Sequence, residues 1–159
     1  MSIGSILKSC SNWPPVAFVR DSQYGMPTVQ SFHLLALTLL LATVVVLNLR
    51  LAGVGLKNHG LAWLGRQLRP WTLGALAVML ASGALIFLAT PGKYLDSRPF
   101  QIKMTLLGAA LLFHFTVFRS FIHSDSTARR RAVQVWVACL SVTLWFSVGW
   151  AGRAIAFLP

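Results

Sequence analysis

The stretch that decides the fold runs VQSFHLLALTLLLATVVVLNLR, residues 29–50. It carries no charged residue before its last position and is rich in leucine and valine. The hydrocarbon core of a bilayer is about 30 Å thick, and about 20 apolar helical residues are needed to cross it. Residues 29–50 therefore predict a helix that spans a membrane.

Three further stretches of the same kind follow along the chain. Residues 70–92 and 132–152 contain no charged residue, and residues 99–121 are apolar apart from Lys103 and Arg119. Stretches this long are typical of transmembrane helices. We predict spans at 29–50, 70–90, 99–121 and 130–156, the second and third opening near Pro70 and Pro99. The predicted fold class is all-α, an integral membrane four-helix bundle.

The first 28 residues do not have the composition of a span. Their apolar positions recur at helical spacing: Ile3, Ile6, Leu7, Cys10 and Trp13. This pattern predicts an N-terminal amphipathic helix that lies in the membrane interface. A second short helical piece is predicted through Val16, Phe18 and Val19. The chain is thus divided into an interfacial N-terminal segment, residues 1–28, and a four-span transmembrane bundle, residues 29–156.

The net charge of +11 comes largely from basic residues beside the predicted spans. Four spans use up the length of the chain, which leaves no separate basic domain to offer a groove to nucleic acid. The expected partner is therefore the lipid bilayer. Lys and Arg are more frequent in and beside the first and third loops than on the other side. The positive-inside rule then predicts a multi-pass protein with both termini outside and the first and third loops in the cytoplasm.

Polar side chains inside the predicted spans are the best candidates for function, because each is costly to bury in lipid. At about 1.5 Å per residue, His33 lies about 25 Å from the level of Arg50. Lys103 lies about 24 Å from the level of Arg119, so lysine and histidine share one depth near the outer surface. Arg153 lies somewhat further out. Tyr94 and Gln101 lie at the same end. Together these five residues form the predicted cofactor-binding set: His33, Lys103, Arg153, Tyr94 and Gln101.

Three interpretations of this set are open. Imidazole suits an axial ligand of haem iron, with Lys103 and Arg153 on the propionates, so haem b is one candidate cofactor. A quinone is another, with His33 and Gln101 bonding its carbonyls. In the third interpretation the basic side chains extend to lipid headgroups, and the histidine bonds a backbone carbonyl. The residues alone leave the cofactor unassigned.

His114 is a weaker candidate for a metal ligand. It lies about 7.5 Å from the level of Arg119, and therefore roughly 18 Å in depth from His33. The two histidines cannot share one haem. The second and fourth predicted spans contain no histidine. A single chain therefore cannot pair two span histidines at one depth, as b-type cytochromes commonly do.

No catalytic residues are predicted. The three acidic residues, Asp21, Asp96 and Asp125, all lie outside the predicted spans. The sequence offers no carboxylate pair for acid–base work and no glycine-rich phosphate loop. A non-enzymatic membrane subunit or accessory protein is therefore favoured over an enzyme. The alternative is a b-type haem or quinone-linked electron-transfer protein.

Several short motifs are spread over most of the chain. They are Ser31-Phe32-His33-Leu34-Leu35, Leu49-Arg50-Leu51 with Gly53, Pro70-Trp71, Ser82-Gly83, Phe100-Gln101-Ile102-Lys103-Met104 and Gly152-Arg153. Together they resemble an uncharacterised family of small bacterial four-helix membrane proteins, a family with a domain of unknown function. The layout is also distantly similar to the membrane part of copper-resistance D proteins and to small b-type cytochromes. The resemblance implies a redox or metal-linked setting, in which other membrane redox subunits would be partners.

Overall fold

A computed structural model of the chain describes residues 11–55, 58–95, 97–118, 120 and 131–155, and this part is helical throughout apart from short connections. The helices are α1 (Pro14–Asp21), α2 (Gly25–Leu51), α3 (Leu61–Ala89), α4 (Pro91–Leu95), α5 (Arg98–Phe113) and α6 (Arg131–Ala154). A π-helical turn, His114–Phe118, continues α5. Four helices, α2, α3, α5 with its π-helical turn, and α6, are long and apolar enough to cross a membrane. The chain thus has the all-α architecture of a multi-pass membrane protein.

The predicted end of the first span holds, because α2 ends at Leu51, but α2 begins at Gly25 and not at Val29. The start of α3 also differs from the prediction. α3 begins at Leu61, so Pro70 lies inside the helix and not in its first turn, as the sequence had suggested. A proline inside a helix removes the N–H that would bond the carbonyl four residues earlier, here that of Arg66. Arg66 is exposed near the start of the helix, where water can replace the missing donor. The predicted N-terminal amphipathic helix and residues 130 and 156 lie outside the described residues.

All four long helices contribute to one apolar interior. The main buried cluster is Ala36, Leu40 and Val44 of α2, Ala75, Leu76 and Met79 of α3, Leu107 and Ala110 of α5, and Trp145 and Val148 of α6. Spacings of three and four residues place these side chains on one face of each helix. α2 packs against α3 and α6, and α6 also packs against α5. α2 and α6 therefore form the middle of the bundle.

α1 closes one end of the α2–α3 pair. Val16 and Val19 are buried there against Ala89, which confirms the short helix predicted in this region. A Cβ on Gly25 would lie 2.9 Å from the Cα of Val19, so this close turn into α2 requires glycine. The same end of the bundle holds the start of α5 and the end of α6. We call it the α1 end.

The opposite end holds the turn that follows α2. Gly53 ends the helix in the left-handed region, with φ of 73°. A Cβ there would lie 3.3 Å from the guanidinium of Arg131, at the start of α6. The end of α2 and the start of α6 are therefore neighbours. This contact fixes the antiparallel course of the two central helices.

Candidate functional site

The buried face of α2 ends on a histidine. Ala36, Leu40 and Val44 face the interior, and His33 continues the same face one turn nearer the α1 end, where it is half-buried. Residues three and four apart lie on the same side of a helix, so the imidazole points towards the neighbouring helices. It meets α3 at Ser82.

A hydrogen bond to α3 orients the imidazole. Ser82 Oγ lies 2.6 Å from the carbonyl oxygen of Val78 and donates its only hydrogen there. The same oxygen lies 2.9 Å from His33 Nδ1 and accepts a hydrogen bond from it. We therefore assign neutral His33 the Nδ1–H tautomer, which places the lone pair of the ring on Nε2. An imidazole held in this way is oriented for a ligand at its second nitrogen.

Gly83 allows the ring to approach α3. A Cβ at this position would lie 3.3 Å from Cε1 and 3.7 Å from Nδ1 of His33. The imidazole therefore lies almost directly on the helix backbone. A larger residue at 83 would push the ring away from Ser82.

The side chain of Lys103 packs against another glycine, Gly152 of α6. It belongs to the same face of α5 as the buried Leu107 and Ala110, and it is half-buried. A Cβ at Gly152 would lie 3.3 Å from its Nζ and 3.4 Å from its Cε. The ammonium group also interacts electrostatically with His33. His33 thus lies against Gly83 of α3 and Lys103 against Gly152 of α6, and we call His33, Ser82, Gly83, Lys103 and Gly152 the His33 site.

The other predicted site residues lie at the same end but make different contacts. The ring of Tyr94 lies 5.4 Å from that of Phe100 and 6.4 Å from that of Phe87, in an aromatic cluster. Gln101 is exposed and donates a hydrogen bond of 3.2 Å to the carbonyl of Leu95. Both side chains thus stabilise the turn around α4.

Arg153 is exposed in the last turn of α6, directly after Gly152. It therefore lies near the His33 site, for which the sequence predicted a position somewhat further out, and it projects towards the surface. The interior part of the site consists of His33 and Lys103 with the residues that hold them.

His114 belongs to a separate region. Its ring lies 6.2 Å from that of Trp145 and 5.4 Å from that of Phe115, edge-on in both cases. Along α5 it is about 16 Å from Lys103. Within the ranges that the structure describes, no group of three or more His, Cys, Asp or Glu side chains comes together. The two histidines therefore offer single ligands at different levels.

A buried hydrogen bond between α2 and α6, from Asn48 to Ser141, was not predicted. Asn48 Nδ2 donates to the carbonyl of Val44 at 2.8 Å and to Ser141 Oγ at 3.1 Å. Asn48 Oδ1 and Trp145 Nε1 are buried without a partner among the described side chains and backbone. Sequence reasoning passed over these residues, as it did Ser82. A polar residue within an otherwise apolar helical face was the signal that could have identified them.

The chain was compared with known proteins. The model of a protein family described as "Family of unknown function (DUF6644)" matches residues 21–158. The chain belongs to this family. The match includes the four long helices and the whole His33 site, which agrees with the resemblance to an uncharacterised membrane family. No curated protein and no solved structure matches the chain, so no match supports the likeness to copper-resistance D proteins or small b-type cytochromes.

Proposed function

We propose that the protein is a non-enzymatic subunit of a bacterial-type inner membrane, with both termini outside, and that its His33 site binds one ligand. The charge difference between the loops supports this orientation. The four long helices support a membrane location. The single observation that carries the ligand proposal is the hydrogen bond between His33 and Ser82, which orients the imidazole at the level of the half-buried Lys103.

The two side chains offer complementary chemistry. The ammonium group of Lys103 donates hydrogen bonds, and Nε2 of neutral His33 accepts one. No acidic residue occurs in the sequence of the four long helices, so the lysine has no carboxylate partner there. A quinone in its reduced forms presents both an acceptor oxygen for lysine and a hydroxyl donor for histidine. A quinone is therefore the ligand class that suits the site best, and redox subunits of the membrane are the matching partners.

The test is the binding of a short-chain quinol, ubiquinol-1 kept reduced by dithionite, to the full-length protein in nanodiscs. His33→Ala and Lys103→Ala should each weaken binding about ten-fold or more, because each removes a hydrogen bond that involves a charged or buried group. His114→Ala is the matched control, since it removes a histidine at another level. It should leave the affinity unchanged.

A haem b is the second candidate, and the Nδ1–Ser82 hydrogen bond favours it. Haem-ligating histidines are commonly oriented by such a bond to the nitrogen away from the iron. The propionates would then accept from Lys103. A Soret band in the purified protein that His33→Ala removes and His114→Ala retains would select haem over quinone. Without a Soret band, a quinol affinity that neither His33→Ala nor Lys103→Ala changes would reject the ligand site altogether.

A further inference from the structure

An open groove of about 1050 Å³ lies on the outside of the bundle, between α5 and α6. Its apolar walls are formed by Ile102 and Leu106 of α5 and by Val142, Phe146 and Trp150 of α6. None of the residues that define the His33 site lines it. Its volume is at the upper end of the range typical of small-molecule sites, about 300–1,000 Å³. The groove is therefore large enough for a ligand of its own.

The groove is about as long as one leaflet of a bilayer is deep. α6 advances about 18 Å from Val142 to Ala154, and α5 advances about 12 Å from Arg98 to Leu106. Half of the hydrocarbon core measures about 15 Å. One acyl chain of a lipid in the leaflet at the α1 end matches this length. Its headgroup would then lie beside Arg98 and Ala154.

The end of the groove at Arg98 carries positive charge. Arg98 is exposed in the first turn of α5, and the side chain of Ser97 makes no capping hydrogen bond to that helix. A helix start without a side-chain cap adds partial positive charge from its N–H groups. Asp21 is the single acidic side chain in the described ranges, and it is paired with Arg20 at 2.8 Å. The charge at this end is complementary to a phosphate.

We propose that the groove binds an anionic phospholipid, with the phosphate at Arg98 and one acyl chain between α5 and α6. A zwitterionic lipid would cover the same apolar walls but would gain less from the arginine. The proposal is independent of the ligand at His33. It assigns a selective lipid site to a face that would otherwise take any lipid.

Trp150 lines the groove and serves as the reporter. Full-length protein is reconstituted in nanodiscs with brominated phosphatidylglycerol or brominated phosphatidylcholine, and fluorescence quenching is followed against the mole fraction of each lipid. The same series on Trp150→Phe isolates the signal of this tryptophan. We expect an apparent affinity about five-fold higher for phosphatidylglycerol, the contribution of one basic residue near anionic lipid.

Charge variants locate this preference. Arg98→Gln should abolish it, and Arg98→Lys should retain most of it. Arg69→Gln is the matched control, because Arg69 is an exposed arginine of α3 towards the opposite end of the bundle. That variant should behave like the wild type. Circular dichroism shows whether each variant keeps its helices. If Arg98→Gln does not fold, the lipid preference of Arg98→Lys is compared with that of the wild type, which measures the effect of the guanidinium group.

Three results would overturn the proposal. The first is equal quenching by the two lipids in the wild type, which would follow if Asp96 neutralised Arg98. The second is a preference that survives in Arg98→Gln. The third is the lack of any quenched component that depends on Trp150, because lipid chains would then not enter the groove.

Discussion

Asn48 places an amide in the interior of the bundle, where only 2% of its surface is exposed. Its Nδ2 reaches Ser141 across the α2–α6 contact, so the hydrogen bond links the two central helices. In lipid the chain has little water to bond such groups, yet measured side-chain hydrogen bonds in membrane proteins remain modest. The contact therefore contributes more to the choice of helix partner than to the total stability.

A double-mutant cycle tests this contact. Asn48→Leu and Ser141→Ala should each destabilise the protein, and together they should cost less than the sum, with a coupling energy of about 0.6 kcal/mol. The measurement is unfolding by sodium dodecyl sulfate in mixed micelles, followed by circular dichroism. Thr38 is exposed on α2 and bonds its own helix, so Asn48→Leu with Thr38→Ala is the control. Additive costs in the Asn48–Ser141 cycle would show that the hydrogen bond does not link the helices.

Two glycines on one helix show how elements approach each other. Gly83 on α3 has the imidazole of His33 within 3.3 Å of its Cβ position, whereas nothing lies within 4 Å of the same position on Gly74. In membranes small residues allow helix backbones and side chains to pack closely. The glycine at 83 is therefore part of the α2–α3 contact, and the glycine at 74 faces outwards.

Leucine at these two positions should have very different effects. Gly83→Leu should destabilise the bundle by about 1–3 kcal/mol, because the new side chain must displace the ring of His33. Gly74→Leu should change the stability by less than about 0.5 kcal/mol, as exposed substitutions usually do. Detergent-induced unfolding of the two variants gives the comparison. Similar stabilities would indicate that α3 meets α2 through another face.

The arrangement of the whole molecule follows from its two ends. The turn after α2 lies beside Arg131, and the turn before α2 lies beneath α1. The chain therefore crosses the bundle in alternate directions. With more basic residues near the first and third loops, we propose that these loops are cytoplasmic.

Cysteine labelling tests this topology. In a Cys10→Ser, Cys139→Ser background, Lys93→Cys should react with a membrane-impermeant maleimide on intact cells, whereas Asn58→Cys should react only after permeabilisation. The two positions lie at opposite ends of the bundle, so they serve as controls for each other. The reverse labelling would invert the orientation. Equal labelling of both in intact cells would contradict four crossings.

Depth along a helix could be predicted from the sequence, but rotation about the helix axis could not. Counting residues placed His33 and Lys103 in one layer, and both are half-buried in the structure. The same count placed Gln101 beside them, yet it precedes Lys103 by two residues and is turned about 200° away at about 100° per residue. Its side chain therefore bonds the carbonyl of Leu95 and does not face the interior.

The apolar stretches also predicted helices without showing which face of each helix is buried. The stretches without charge predicted four helices, because a bilayer selects for length and hydrophobicity. Within the leucine-rich part of α2, however, Leu40 is fully buried and Leu39 is 40% exposed. Lipid and helix interior are equally apolar, so no alternation in sequence marks the contact face. The polar positions His33 and Asn48 were local signs of its direction.

The stem of Lys103 lies against Gly152, so this contact couples two positions that are far apart in the sequence. A side chain acquired at 152 would press on the lysine, and loss of the lysine would release the constraint on the glycine. We therefore expect a larger residue at position 152 to be accommodated where the lysine stem shifts or where a shorter residue replaces Lys103.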